Sequence, residues 1–327
     1  MIKRISKLIL TYAVLLSNGC ADQNFLDSSA INSSILNGEK IKETDEFYGR
    51  PVMIAQNYEY TKSDQETKAR PLIFGICSGV VLNPTTVLTA AHCVKNISKS
   101  RVILTTNMYK KISDESHVYK IHQAIVHPKY TELKQFELES NTTSPHADSN
   151  YFDIALLTLD RPINGAIFDF SYFMKMSSFE YFKLDQNQSE SKNGSIKTIA
   201  TGYGRKTSLE NPESEEVIYS KKTGKPKAQR VTGILKKAHI NIPLTELKNK
   251  IITIDQVDKP GACNGDSGGP LFTIRRNQPY LQGIAIAVYK NPTDDPNNTH
   301  NACRSKSMFL NLDYFKVWIL DSIRSIK

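Results

Sequence analysis

Gly261-Ala262-Cys263-Asn264-Gly265-Asp266-Ser267-Gly268-Gly269-Pro270 is the stretch on which the reading of this 327-residue chain turns. It sets a small nucleophile, Ser267, among glycines, with an acid directly before it and a cysteine upstream. A serine hydroxyl is a weak nucleophile until a base takes its proton. Glycines on either side let the backbone turn sharply, so that peptide N–H groups can point at a developing oxyanion. Working outward, a base stands in Thr89-Ala90-Ala91-His92-Cys93 and an acid in Asp153-Ile154-Ala155-Leu156. The chain order is therefore His, Asp, Ser, one of the three orders in which such a triad occurs.

These motifs resemble the trypsin/chymotrypsin family of serine endopeptidases, over residues 35–327. The resemblance implies an all-β fold of two six-stranded antiparallel β-barrels with a C-terminal helix. It implies that Ser267 attacks the scissile carbonyl, that His92 is general base and then acid, and that Asp153 orients the imidazole. Asp148 is the rival acid, but Asp153 directly precedes an apolar run and so stands at the buried start of a strand. The backbone N–H groups of Gly265 and Ser267 would form the oxyanion hole. His127, in Val126-His127-Pro128, also resembles a family sequence, one without a chemical role.

The resemblance also assigns a substrate pocket to Gly261, Ala262, Val288 and Ser307, with Gly261 at its base. Trypsin-like members carry Asp at the base, and a cationic side chain buried without that partner is costly. Cleavage after Lys or Arg is therefore not expected. Ile286, Ala287 and Val288 replace the usual Ser-Trp-Gly of the pocket wall, which narrows it and favours small or medium apolar P1 residues. Disulfides Cys77–Cys93 and Cys263–Cys303 are implied as well. So is activation by cleavage after Ser34, freeing Ile35 to pair with Asp266.

Gly265-x-Ser267-x-Gly269 satisfies the nucleophile-elbow pattern of α/β-hydrolases too, but there an acid and then a histidine follow the serine. Only His300 follows here, inside a polar loop. A second functional class, a catalytically weak binding protein on a protease fold at the cell surface, is the alternative; such proteins usually lose a triad member, and none is lost here.

The composition, 39% hydrophobic and 23% charged, is that of a globular protein and excludes collagenous, coiled or wholly disordered classes. Short β-like runs recur between turn signals, as in an all-β barrel or sandwich. Phe315, Trp318, Ile319, Ile323 and Ile326 recur at helical spacing, with Asn311 or Asp313 as candidate caps. Residues 131–150, 205–229 and 289–302 read as polar surface insertions. The net charge of +9 comes from scattered lysines, densest between Lys221 and Lys227. No nucleic-acid motif accompanies it, so no nucleic-acid partner is expected, although Lys221–Arg230 could hold an anionic polymer. No metal or cofactor is expected, and the chain is read as a monomer acting on proteins or peptides.

Residues 1–19 read as a signal peptide: Lys3, Arg4 and Lys7, then the short apolar run Leu8–Leu16, too short to span a bilayer. Leu16-Ser17-Asn18-Gly19-Cys20 resembles a bacterial lipoprotein signal, with Cys20 the lipidated residue. Of five cysteines, Cys20 is the one left over once the four others pair. Residues 20–34 are a polar tether or pro-segment, and 35–327 the protease domain. The expectation is an exported protein, in the outer membrane as a lipoprotein or in the periplasm. Cleavage before Ile35 would release it from the lipid anchor, with an extracellular destination then open to it.

Overall fold

Short runs that alternate or are wholly apolar make strands, and turn chemistry joins them. In β5 (Gly75–Asn83) and β6 (Thr86–Thr89) the join is an Asx turn, in which Thr85 donates its N–H to Asn83 Oδ1 at 3.0 Å. The computed structural model describes residues 35, 38–61, 70–73, 75–111, 114–139, 148–167, 194–205, 233–257, 259–275, 277–289 and 302–326.

The N-terminal half closes a six-stranded antiparallel barrel in the order β2-β5-β6-β9-β8-β7. Its remaining strands are β2 (Pro51–Gln56), β7 (Arg101–Ile103), β8 (Val118–Val126) and β9 (Ala155–Leu159). β9 is buried at all its positions, as its unbroken Ala-Leu-Leu-Thr-Leu run requires.

The C-terminal half is a seven-stranded antiparallel sheet in the order β1-β11-β10-β13-β14-β15-β12. It contains β1 (Glu39–Lys40), β10 (Ser195–Gly202), β11 (Lys236–Pro243) and β12 (Ile251–Asp255). It continues with β13 (Pro270–Arg275), β14 (Gln278–Tyr289) and β15 (Lys306–Asn311). β11 alternates buried and outward residues in period two, the pattern of a sheet with one face in the core. The fold is thus all-β and chymotrypsin-like, with one difference from six-plus-six. β1 adds a seventh strand, and among the described residues β11 and β12 do not pair to close the second barrel. A small hairpin, β3 (Glu59–Thr61) with β4 (Arg70–Leu72), stands apart. Among the described residues no helix is long and apolar enough to cross a membrane.

The halves are joined by buried polar contacts. The fully buried Tyr203 donates its hydroxyl to Thr105 O at 2.6 Å, and Leu235 N–H bonds Thr106 O at 2.9 Å. The candidate site lies where the ends of β6 and β9 meet the loop before β13.

One expectation needs correction and one is added to. The stretch read as a surface insertion, residues 131–150, is entered by a helix, Pro128–Glu139, that the sequence reading did not name. Pro128 occupies its first position, where a missing N–H has no cost. The C-terminal helix, Lys316–Ser325, has no side-chain cap; Asn311 instead accepts from Asp313 N–H at 3.2 Å, capping the short turn Leu312–Tyr314. Of the other two proposed insertions, only Arg205, Tyr289 and Ala302 lie within the described residues.

Candidate active site

His92 sits on a single tight turn, Ala91–Cys93, that continues directly from β6. A disulfide from Cys93 to Cys77 on β5 anchors that turn. Asp153 leads into β9 and is 2% exposed. Its Oδ1 accepts the His92 backbone N–H at 2.9 Å, and its Oδ2 lies 2.6 Å from His92 Nδ1. Because an ionised carboxylate only accepts, Nδ1 carries the proton and Nε2 presents a lone pair. Burial alone would lower the imidazole pKa. The Asp153 carboxylate opposes this by charge and hydrogen bond and prevails over Lys95 and Lys134, so His92 titrates above its ordinary value.

The residue before Asp153 is held from behind. Phe152 packs against His127 and Phe315, with ring centres 5.0 and 6.3 Å away, and His127 in turn stacks on Trp318 at 5.1 Å. Lys250 Nζ lies 3.5 Å from the Phe152 ring centre, a cation–π contact. The burial that accompanies this contact, with the charge of Lys129, lowers the Lys250 pKa.

Ser267 is half-buried on the loop before β13. Its carbonyl accepts Ser78 N–H at 2.8 Å, and Cys93 Sγ lies 3.6 Å from the same oxygen, which seats the loop against the histidine turn. Gly268 makes this approach possible. Its φ is +80°, and a β-carbon there would overlap Thr89 Oγ1 and Ser78 O. Among the described residues the N–H groups of Gly265 and Ser267 have no hydrogen-bond partner, while Asp266 N–H between them bonds Cys263 O at 3.0 Å.

Asp266 is 1% exposed and accepts from Gly204 N–H at 2.7 Å and Cys263 N–H at 2.9 Å. Burial pushes its pKa up to about 7, against those bonds, a further one from Ile35 N–H, and the charge of Lys236. Ile35 is 1% exposed and belongs to the buried cluster that also holds Ala200, Ala238 and Leu271.

Gly261 and Ala262 are buried beside the disulfide Cys263–Cys303, and Val288 pairs with Ser307 across β14 and β15. A bulge at Ile286 re-aims β14 just before Val288. Cys20, the segment 1–34 and Lys221–Arg230 lie outside the described residues. His92 with Cys77 and Cys93 forms a group of metal-ligand spacing, but the two sulfurs are bonded to each other and offer no thiolate.

Sequence reading missed Ser78. Its hydroxyl is fully buried, donates to Gly265 O at 3.0 Å and accepts Tyr203 N–H at 3.0 Å. It therefore ties the loop that carries Ser267 to the turn Gly202-Tyr203-Gly204. No local signal announces this, because its partners stand 187 and 125 residues away.

A constellation of this kind on this fold is characteristic of one family. The trypsin family profile matches residues 49–309, well over half of the chain, and the protein belongs to that family of serine endopeptidases. Mouse kallikrein 1-related peptidase b27 is 24% identical over 90% of this chain and 91% of its own length. Rat vitamin K-dependent protein C is 27% identical over 64% of this chain, and chicken urokinase-type plasminogen activator 23% identical over 68%. The chain spans only 39% and 49% of those two longer relatives. Among solved structures, HBP superposes with a TM-score of 0.53 over 90% of this chain and 98% of its own, at 15% identity, a likeness of fold.

Proposed function

We propose that the protein is an exported serine endopeptidase that works through His92, Asp153 and Ser267. The observation that carries this is the His92–Asp153 pair, with both Asp153 oxygens engaged at 2.9 and 2.6 Å, beside the Ser267 loop. In the first step His92 Nε2 takes the Ser267 hydroxyl proton as Oγ bonds the scissile carbonyl carbon. The carbonyl electron pair moves onto oxygen, where the Gly265 and Ser267 N–H groups receive it. Collapse of this adduct breaks the C–N bond, and the imidazolium returns its proton to the leaving amine. Water repeats the sequence on the acyl-enzyme. Protein or peptide substrates follow from this chemistry, and the absence of a carboxylate at Gly261 disfavours Lys and Arg at P1.

Activation by cleavage between Ser34 and Ile35 is part of the same reading. In support, Ile35 is buried and bonds Asp266 through its peptide N–H. Its φ of +53° is unfavourable for a β-branched residue. Cutting the preceding bond abolishes that torsion and turns the N–H into an ammonium group facing Asp266. Loss of such a buried ion pair costs about 3–5 kcal/mol. We further propose that residues 1–19 direct export, that Cys20 carries lipid, and that the cut which activates the domain also frees it from the tether 20–34.

The test is a peptide-library digest by the chain beginning at Ile35, beside its Ser267→Ala variant. Cleavage by the first alone supports the reading; equal cleavage by both, or none by a folded first chain, overturns it. Two expected results belong here. The rising limb of kcat/KM against pH should have its midpoint above 6.5, because the base must be neutral and Asp153 holds its pKa up. Ser78→Ala should leave KM nearly unchanged and lower kcat about tenfold, as a neutral hydrogen bond that holds the oxyanion loop is lost. A fall in thermal stability with kcat intact would show Ser78 to be a packing residue only.

A further inference from the structure

Among the described residues, the buried atoms Gln256 Oε1 and Ser307 Oγ have no hydrogen-bond partner. Gln256 is fully buried, and its Nε2 donates to Ala262 O at 2.8 Å and to Cys303 O. These two carbonyls fix the amide's orientation, since a flip would set oxygen against oxygen. Its Oε1 accepts nothing. That oxygen lies against the backbone of Gly261, where a β-carbon would overlap it. It thus stands where a side chain at position 261 would begin.

The second atom is Ser307 Oγ, in a residue that is fully buried and also unpartnered. Ile254 on β12 pairs with Ser307 on β15, and Gln256 N–H bonds Ser305 O at 2.9 Å. By the two-residue alternation of a ladder, Gln256 and Ser307 project from the same face as diagonal neighbours. Burying an acceptor and a hydroxyl unpaired is unfavourable, and each such group in a folded protein calls for a reason.

We propose that Gln256 Oε1 and Ser307 Oγ are the recognition pair of the primary pocket, and that the P1 residue they take is a carboxamide, glutamine or asparagine. This rests on the peptidase reading and on Gly261 as the pocket base. A primary amide carries N–H donors and a carbonyl acceptor on one carbon. Its N–H donates to Gln256 Oε1, and its oxygen accepts the Ser307 hydroxyl proton. Lysine or arginine brings donors but leaves a buried charge without a counter-ion. A glutamate side chain sets its own oxygen against Oε1. An apolar side chain leaves both atoms unpaired, and sites built to hydrogen-bond reject such analogues strongly. The small or medium apolar preference expected from the narrowed wall is thereby replaced.

The experiment compares kcat/KM of the natively processed protein on peptides that differ only at P1: Gln, Asn, Leu, Ala and Lys. Gln or Asn should exceed Leu by about a hundredfold. Ser307→Ala removes a hydroxyl that has no partner among the described residues, so it should fold normally. It should lower the ratio of kcat/KM for the better carboxamide to that for the Leu peptide about tenfold. A preference for Leu, Ala or Lys, or a carboxamide-to-Leu ratio that Ser307→Ala does not alter, overturns the proposal while the peptidase reading stands. Failure to cleave any peptide, with Ser267 inert to a fluorophosphonate probe, overturns both.

Discussion

Ser267→Ala is expected to lower kcat by about a millionfold, with KM little changed. The size follows from what the substitution removes. The alanine methyl carries no proton for His92 and no electron pair for the carbonyl carbon, so the acyl-enzyme route closes. What remains is the binding cleft and the two N–H donors, which together still support a rate about a thousandfold above water. The carbonyl of residue 267 accepts Ser78 N–H whatever the side chain, so the loop should hold its place. Active-site labelling by a fluorophosphonate should vanish with the same substitution. A variant that still cleaves at a tenth of the parent rate would remove Ser267 from the chemistry.

Asp153→Asn should cost about ten thousandfold in kcat, for a different reason. The amide oxygen can keep the bond to His92 backbone N–H now made by Oδ1. The amide nitrogen then replaces Oδ2, 2.6 Å from Nδ1. A donor there forces Nδ1 to accept, so the ring proton moves to Nε2, and the nitrogen proposed to act as base can no longer take a proton. The variant should also lose the charge that raises the His92 pKa. Nitrogen NMR of the imidazole would read both effects, and an unchanged tautomer in an inactive variant would contradict the argument.

Much of this architecture was legible in the chain because the needed signals are local. Turn residues between short apolar runs announce an all-β fold, and the glycine-rich surroundings of Ser267 announce a nucleophile loop. What escaped depends on partners distant in sequence or on elements with weak patterning. The helix Pro128–Glu139 has no apolar repeat in its sequence, so nothing marked it as a helix. Ser78 stands in an apolar run and Gln256 in a polar one, and neither stretch announces the bonds they make to Gly265, Tyr203, Ala262 and Cys303 once the sheets assemble. Asn311 looked like the cap of the terminal helix because cap chemistry is the same one turn earlier.

The aromatic contacts behind Asp153 set an order of events during synthesis. Phe152 leaves the ribosome well before Phe315 and Trp318, which stand far downstream of it in the chain. A nascent chain can therefore carry His92, Asp153 and Ser267 and still lack the packing that holds the neighbour of Asp153. The support behind Asp153 is thus completed late, by residues that reach it only after both halves of the fold have been made.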